Sequence, residues 1–128
     1  MNHLLLSLLA SITFAESVFA SLPVVFIENC YDGDTCQTIN GEKIRLACID
    51  TPELKGRKAN IIPATKAKDF LNSLVANREV SIRRITFDRY GRTVAELIKD
   101  EENIQELIVK NGFGKIYRKY SHQCEWSS

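Results

Sequence analysis

The sequence predicts a small α+β domain that is mainly β, with five strands and two helices. Three observations predict it: short runs rich in β-branched and alternating apolar residues, turn dipeptides between those runs, and two stretches of helical periodicity. Their order along the 128 residues is β-β-β-α-β-β-α. Five strands with one helix between the third and fourth and another after the fifth are typical of an OB-type barrel.

The first three strands are predicted from apolar runs over residues 24–30, 35–39 and 43–49. Asn40-Gly41 stands between the second and third runs and is a two-residue hairpin signal. The segment that follows, residues 51–62, is predicted to be a loop and is rich in basic residues.

The first helix is predicted from apolar residues that recur at helical intervals between Ala67 and Val75. Pro63 suits its first turn. Strands are then predicted over residues 80–87 and 93–98, with a bulge at Arg83-Arg84 where the apolar phase slips.

The second helix is predicted from its end signals. Asn103 and Glu106 have the spacing of a capping box, and Gly112 is a stop signal. No repeat or linker interrupts the pattern, so the sequence predicts one domain. Its net charge of only +1 argues against a protein that coats DNA through charge alone.

The first twenty residues are predicted to be a signal peptide. The apolar stretch over residues 4–14 is too short to span a bilayer, and Val18-Phe19-Ala20 places small residues at a cleavage site. We therefore expect cleavage after Ala20, a folded domain over residues 21–128, and a secreted or periplasmic protein free of the membrane. An N-terminal anchor is the alternative, because this leader contains no Lys or Arg.

Four cysteines follow the leader: Cys30, Cys36, Cys48 and Cys124. An even number in an exported chain favours disulfides, for which three full connectivities exist. Cys30 and Cys36 flank an Asp-Gly turn, and we expect them to pair across a hairpin. A zinc site is disfavoured, because the sequence has no Cys-x-x-Cys or Cys/His pair at ligand spacing.

Acidic residues and arginines are concentrated near the ends of predicted strands. The segments are Asp32-Gly33-Asp34-Thr35, then Arg45 followed by Asp50-Thr51-Pro52-Glu53, and later Asp88-Arg89-Tyr90-Gly91-Arg92. Carboxylates bind hard divalent cations, and arginines match phosphate geometry. Each segment alone also fits an ordinary turn. Together they make phosphodiester hydrolysis the leading hypothesis.

In this order and spacing, the segments resemble the two signature regions of the staphylococcal nuclease (thermonuclease) family. The resemblance runs over about residues 24–120. It implies an OB-fold nuclease that requires Ca²⁺ and acts on DNA and RNA as a monomer.

The resemblance also implies roles for single residues at the metal. Asp34 and Asp50 match the two carboxylate ligands of Ca²⁺, and the backbone carbonyl of Thr51 matches a third ligand. Asp32 matches an acid that supports this region. Glu53 matches the glutamate that activates the attacking water.

Further roles concern the substrate. Arg45 and Arg92 match the arginines that bind the scissile phosphate and stabilise the transition state. The substrate-binding positions are Arg89, Tyr90, Tyr117 and Tyr120. Tyr117 is included because Arg118 replaces an expected tyrosine. Aromatic stacking works best on unpaired bases, so we expect a preference for single strands.

The sequence departs from the family at the C-terminus, where residues 121–128 are too short for the family's final helix. Either Trp126 and a Cys124 bridge cover the barrel, or the fold is truncated and marginal. The alternatives to a nuclease are therefore a non-catalytic nucleic-acid-binding module of the same fold and an inactive truncated product.

Overall fold

The structure, a computed structural model, describes Ser11 and residues 22–128. Apart from Ser11, the predicted signal peptide over residues 1–20 lies outside the described residues, as does its cleavage site. In the part of the chain that is described, no helix is long and apolar enough to cross a membrane.

The fold is a closed barrel built from a strongly bent sheet. The strands in chain order are β1 Val24–Cys30, β2 Thr35–Thr38, β3 Lys43–Leu46, β4 Ile49–Asp50, β5 Arg78–Phe87, β6 Thr93–Lys99, β7 Glu102–Asn103 and β8 Lys115–Ile116. The sheet order is β3-β2-β1-β5-β6-β7, and β3 also pairs in parallel with β6. That last pairing closes five strands into a barrel and confirms the predicted OB-type architecture.

Two helices pack against the barrel, α1 over Ile61–Val75 and α2 over Ile104–Lys110. Helix α1 buries Ala64, Ala67, Leu71 and Val75, whose spacing places them on one face. These residues and the inward side chains of the strands, among them Ile44 and Leu97, form the core. Asn103 caps α2 as expected, because its Oδ1 accepts a hydrogen bond from the Glu106 amide at 3.0 Å.

Three local features differ from the sequence prediction. Helix α1 begins at Ile61, so the loop predicted to extend to residue 62 ends at Asn60, while Pro63 lies in the first turn as predicted. The hairpin after β2 has three loop residues, because Thr38 N donates to Glu42 O and Gly41 has φ +87°. The predicted third strand breaks at Cys48, whose φ is +69°, and resumes as β4.

The C-terminal segment forms two 3-10 helices, Arg118–Gln123 and Glu125–Ser127. A disulfide joins Cys124 to Cys48, and the expected Cys30–Cys36 disulfide is also formed. Trp126 Nε1 donates to the buried Glu96 carboxylate at 2.9 Å. Arg83 Nη2 also donates to Gln123 O at 2.8 Å. The segment is therefore attached to the barrel by a disulfide and by hydrogen bonds, as one of the two predicted arrangements required.

Candidate active site

The predicted site residues meet in one cleft of about 770 Å³. It is lined by Asp32, Asp34, Arg45, Asp50, Thr51, Glu53, Arg89, Tyr90, Arg92 and Tyr117. We call it the site cleft. Of the residues singled out from the sequence, only Tyr120 lies outside it, in an adjoining cleft.

The turn between β1 and β2 carries the first acidic residues. Asp32 Oδ1 accepts a hydrogen bond from the Asp34 amide at 2.9 Å, which is the geometry that makes aspartate common in turns. A Cβ added to Gly33 would lie 2.7 Å from Ala67 Cβ and 2.9 Å from the Thr51 side chain. Glycine is therefore required for this turn to pack against both α1 and the loop after β4.

Asp34 is a buried carboxylate at the floor of the site cleft. Its Oδ2 accepts a hydrogen bond from the Thr51 amide at 3.2 Å and lies 3.3 Å from Arg45 Nη2. Burial raises its pKa to about 6; Arg45 opposes this rise, whereas Asp32 adds to it. The single arginine does not fully compensate the buried negative charge, so the position favours a further cation.

The donor set around Asp34 fits a calcium ion. Asp50 lines the same cleft, is half-buried, and its carboxylate has no hydrogen-bond partner among the described residues. The bond from Thr51 N holds the loop that carries Asp50 against Asp34. No group of three or more His, Cys, Asp or Glu suited to a metal occurs in residues 22–128. Two carboxylates and a carbonyl, completed by water, suit a weak calcium site.

Arg45 is fixed by the turn that separates β3 from β4. Its Nη1 donates to Leu46 O at 2.7 Å, and its Nη2 donates to Ile49 O at 3.0 Å. With the contact to Asp34, three acceptors determine the position of this guanidinium. Because its side chain is only 17% exposed, Arg45 is a preorganised donor at the wall of the site cleft.

Arg92 is held in place by a surface turn that precedes β6. Its Nε donates to Asp88 Oδ2 at 2.6 Å, and Asp88 Oδ1 accepts from the amides of Tyr90 and Arg92. Burial opposes ionisation of Asp88, but the hydrogen bonds from Arg92 and Tyr90 outweigh it and lower its pKa. Asp88, which was not among the predicted site residues, thus positions Arg92.

Glu53 is an exposed carboxylate in the site cleft, at the start of the basic loop. Its backbone carbonyl accepts from Asn60 N at 2.8 Å, so the loop folds back beside it. Lys55 and Lys58 of this loop also line the site cleft. Sequence reasoning noticed the basic loop but did not assign these lysines to the site.

A second cleft of about 580 Å³ adjoins the site cleft, and we call it the tyrosine cleft. Tyr90, Tyr117 and Tyr120 line it, and the last two contact each other edge to face with ring centroids 5.1 Å apart. Tyr90 is 68% exposed. Phe87 and Lys119 also line it and were missed by sequence reasoning, although both lie within two residues of assigned positions.

The protein is a closed barrel whose site cleft brings acidic residues beside two anchored arginines. A family model described as "Staphylococcal nuclease homologue" matches residues 43–127. This chain belongs to the staphylococcal nuclease homologue family.

Relatives of this chain carry nuclease names. It is 35% identical to an uncharacterized endonuclease of Haemophilus influenzae over 93% of this chain and 66% of that protein. It is 31% identical to endonuclease YncB of Bacillus subtilis over 80% of this chain and 52% of the relative. It is 33% identical to staphylococcal-like nuclease CAN1 of Arabidopsis thaliana over 65% of this chain and 24% of the relative. The chain thus spans between a quarter and two thirds of these proteins.

Proposed function

We propose that this protein is a calcium-dependent nuclease that hydrolyses phosphodiester bonds of DNA and RNA and prefers single strands. One observation carries the proposal. The site cleft places a buried carboxylate that favours a cation, Asp34, in contact with Arg45, and Arg92 lines the same cleft. Family membership and the nuclease names of the relatives support it.

The acidic side of the cleft would hold the metal. Asp34 and Asp50 would bind Ca²⁺ through carboxylate oxygens, Thr51 through its backbone carbonyl, and Asp32 would keep the turn in place. Bound calcium would supply a Lewis acid for a phosphoryl oxygen. With so few protein ligands, its dissociation constant should be roughly 10⁻⁴–10⁻³ M.

The arginines would act on the phosphate. Arg45 approaches the cleft from β3 and Arg92 from the turn before β6, so they could donate to separate phosphate oxygens as negative charge develops. Removing one such preorganised donor typically costs about 3–4 kcal/mol of transition-state stabilisation. Glu53, which lines the same cleft, would accept the proton of the attacking water.

The tyrosine cleft would hold a base of the substrate. The exposed ring of Tyr90 and the paired rings of Tyr117 and Tyr120 offer stacking surfaces that any unpaired base can use. Arg89 Nη2 donates to the Tyr90 hydroxyl at 2.7 Å, which places a cation beside these rings for a neighbouring phosphate. This arrangement supports a preference for single strands without sequence specificity.

We also propose that the protein works outside the cytoplasm as a monomer, after cleavage of residues 1–20. All four cysteines lie in disulfides within the described residues, which suits an oxidising compartment. N-terminal sequencing of protein recovered from a periplasmic or culture fraction tests this part. A start at Ser21 is expected, and protein retained in the membrane with an intact leader would contradict it.

The main test is cleavage of labelled, heat-denatured DNA and of RNA by the oxidised protein, with calcium and with EGTA. We expect calcium-dependent cleavage, its loss in Arg92→Ala, and no change in Lys66→Ala, which alters an exposed lysine outside the clefts. Binding of single strands without cleavage under any condition would instead indicate the non-catalytic binding module. Neither binding nor cleavage would indicate an inactive product.

A further inference from the structure

A third cleft, of about 390 Å³, opens beside the metal-binding loop. One wall is residues 50–53 together with Lys58, all of which also line the site cleft. The other wall is the segment from Gly112 to Lys115, between α2 and β8. We call it the lysine cleft, after Lys58 and Lys115.

The three clefts form a row. The tyrosine cleft shares Arg45, Arg92 and other residues with the site cleft, and the lysine cleft shares a different set with it. The tyrosine cleft and the lysine cleft have no lining residue in common. The site cleft therefore lies between them, with a separate cavity on each side.

We propose that the lysine cleft binds the nucleotide that lies across the scissile phosphate from the base held in the tyrosine cleft. The substrate strand would enter at one outer cleft, place a phosphate at the two arginines, and leave through the other. This inference rests on the proposed nuclease function. It assigns a polynucleotide-binding role to residues 58 and 112–115.

The charges of the lysine cleft suit a phosphate. Lys58 and Lys115 are both exposed and line the same cleft, so two ammonium groups are available to a phosphodiester bound there. The position of Lys115 is fixed by the sheet, because it pairs with Asp50 in the β4–β8 ladder. The β4–β8 pairing therefore holds Lys115 directly opposite Asp50, a predicted metal ligand.

The shape of the lysine cleft suits a sugar or a base edge. A Cβ on Gly114 would lie 2.9 Å from Thr51 Cγ2 and 3.0 Å from Asp50 O, so this wall packs closely on the metal-binding loop. A Cβ on Gly112 would meet nothing within 4 Å, which leaves the mouth of the cleft open. Phe113 adds an apolar surface, held by its stacking on Phe70 at 4.4 Å.

A substrate held on both sides of the reacting phosphate has a functional consequence. When an internal phosphate of a strand lies at the arginines, the nucleotides on its two sides occupy both outer clefts. When a terminal phosphate lies there, only one outer cleft is occupied. The arrangement therefore favours cuts within a strand over removal of nucleotides from its ends.

The test compares two double variants that remove the same charge. Lys58→Ala/Lys115→Ala removes both lysines of the lysine cleft. Lys66→Ala/Lys110→Ala removes two exposed lysines that line none of the three clefts. Binding of a fluorescent thymidine oligonucleotide is measured in EGTA over a salt series. KM, kcat and the inhibition constant of thymidine 5′-monophosphate are measured in calcium.

We expect the lysine-cleft variant to bind the oligonucleotide about tenfold more weakly. The slope of the logarithm of the binding constant against the logarithm of the salt concentration should become shallower by about 1.4, because each of the two lost phosphate contacts contributes roughly 0.7. Its KM should rise similarly, while the Lys66→Ala/Lys110→Ala variant should keep KM, kcat and inhibition by the mononucleotide within about twofold of the wild-type values. Equal affinities and equal salt slopes in the two double variants would overturn the proposal. If the wild-type protein failed to cleave, the proposed function would fall, whereas the binding series in EGTA would still decide whether the lysine cleft holds a strand.

Discussion

The two arginines of the site are held in contrasting surroundings. Arg45 is anchored by two backbone carbonyls and by buried Asp34, between β3 and β4. Arg92 is anchored by the side chain of Asp88, and its guanidinium lies 5.4 Å from the centroid of the Tyr90 ring, which is itself largely exposed. The side of the cleft around Asp34 and Arg45 is thus part of the barrel's interior, whereas the side around Arg92 and Tyr90 is a surface structure.

This contrast shows how a small barrel can combine precision with tolerance. A cation and a developing charge require donors that are fixed before the substrate arrives. Bases of any sequence require stacking surfaces that can adjust. In the proposed nuclease these two requirements fall on different sides of the site cleft, so changes on the two sides should have different effects on stability and activity.

The largest expected effect separates the arginines. Arg45→Ala and Arg92→Ala should each lower kcat by roughly 10²–10³-fold, because each removes a donor to the transition state. Arg45→Ala should also destabilise the fold by about 1–3 kcal/mol, since it leaves buried acceptors unpaired. Arg92→Ala should leave the melting temperature nearly unchanged. Calorimetry measures the melting temperatures and cleavage assays measure kcat. Equal melting temperatures of the two variants would contradict the prediction that only Arg45 stabilises the fold.

The second prediction concerns the disulfide behind the tyrosine cleft. Cys48→Ala/Cys124→Ala should lower the free energy of unfolding by about 4 kcal/mol, because the bridge closes a long loop. The sequence separation is 76 residues there and 6 for Cys30–Cys36, so Cys30→Ala/Cys36→Ala is the control, with about 2 kcal/mol expected. Urea unfolding measures both. A larger loss in the control would show that the C-terminal segment contributes little.

The third prediction tests whether Asp88 positions Arg92. Asp88→Ala should lower kcat about tenfold, because Arg92 loses the acceptor of its Nε donor. Asp88→Asn should recover part of this, since an amide oxygen can still accept the backbone bonds of the turn. Full activity of Asp88→Ala would show that Arg92 needs no anchor.

The smallest expected effect is a pH dependence from Asp34. Its pKa is about 6 in the folded protein against an ordinary 3.8, so between these values the folded state binds more protons than the unfolded chain. Stability in EGTA should therefore fall as pH rises through this window. Calcium requires the ionised form, so its stabilising effect should grow from pH 5 to pH 7. Thermal melts with and without calcium measure both trends, and Asp34→Asn should abolish them.

Features formed by residues close together in the sequence could mostly be predicted, whereas features formed by distant residues could not. Strand β1 and the Asn103 cap were predictable because apolar runs and capping signals act over a few residues. The left-handed turn at Cys48 was not, since nothing in its neighbours marks a non-glycine residue for positive φ. The residues that line the site cleft could be named through family motifs and their roles stay predictions, whereas the lysine cleft depends on the long-range β4–β8 pairing.

Trp126 gives the molecule an intrinsic optical probe. It is the single tryptophan of the chain, is half-buried, and donates its indole N–H to Glu96. It also packs against both apolar clusters of the described residues. Its emission should therefore shift to longer wavelength when the C-terminal segment detaches, so fluorescence alone can follow that detachment while the rest of the barrel stays folded.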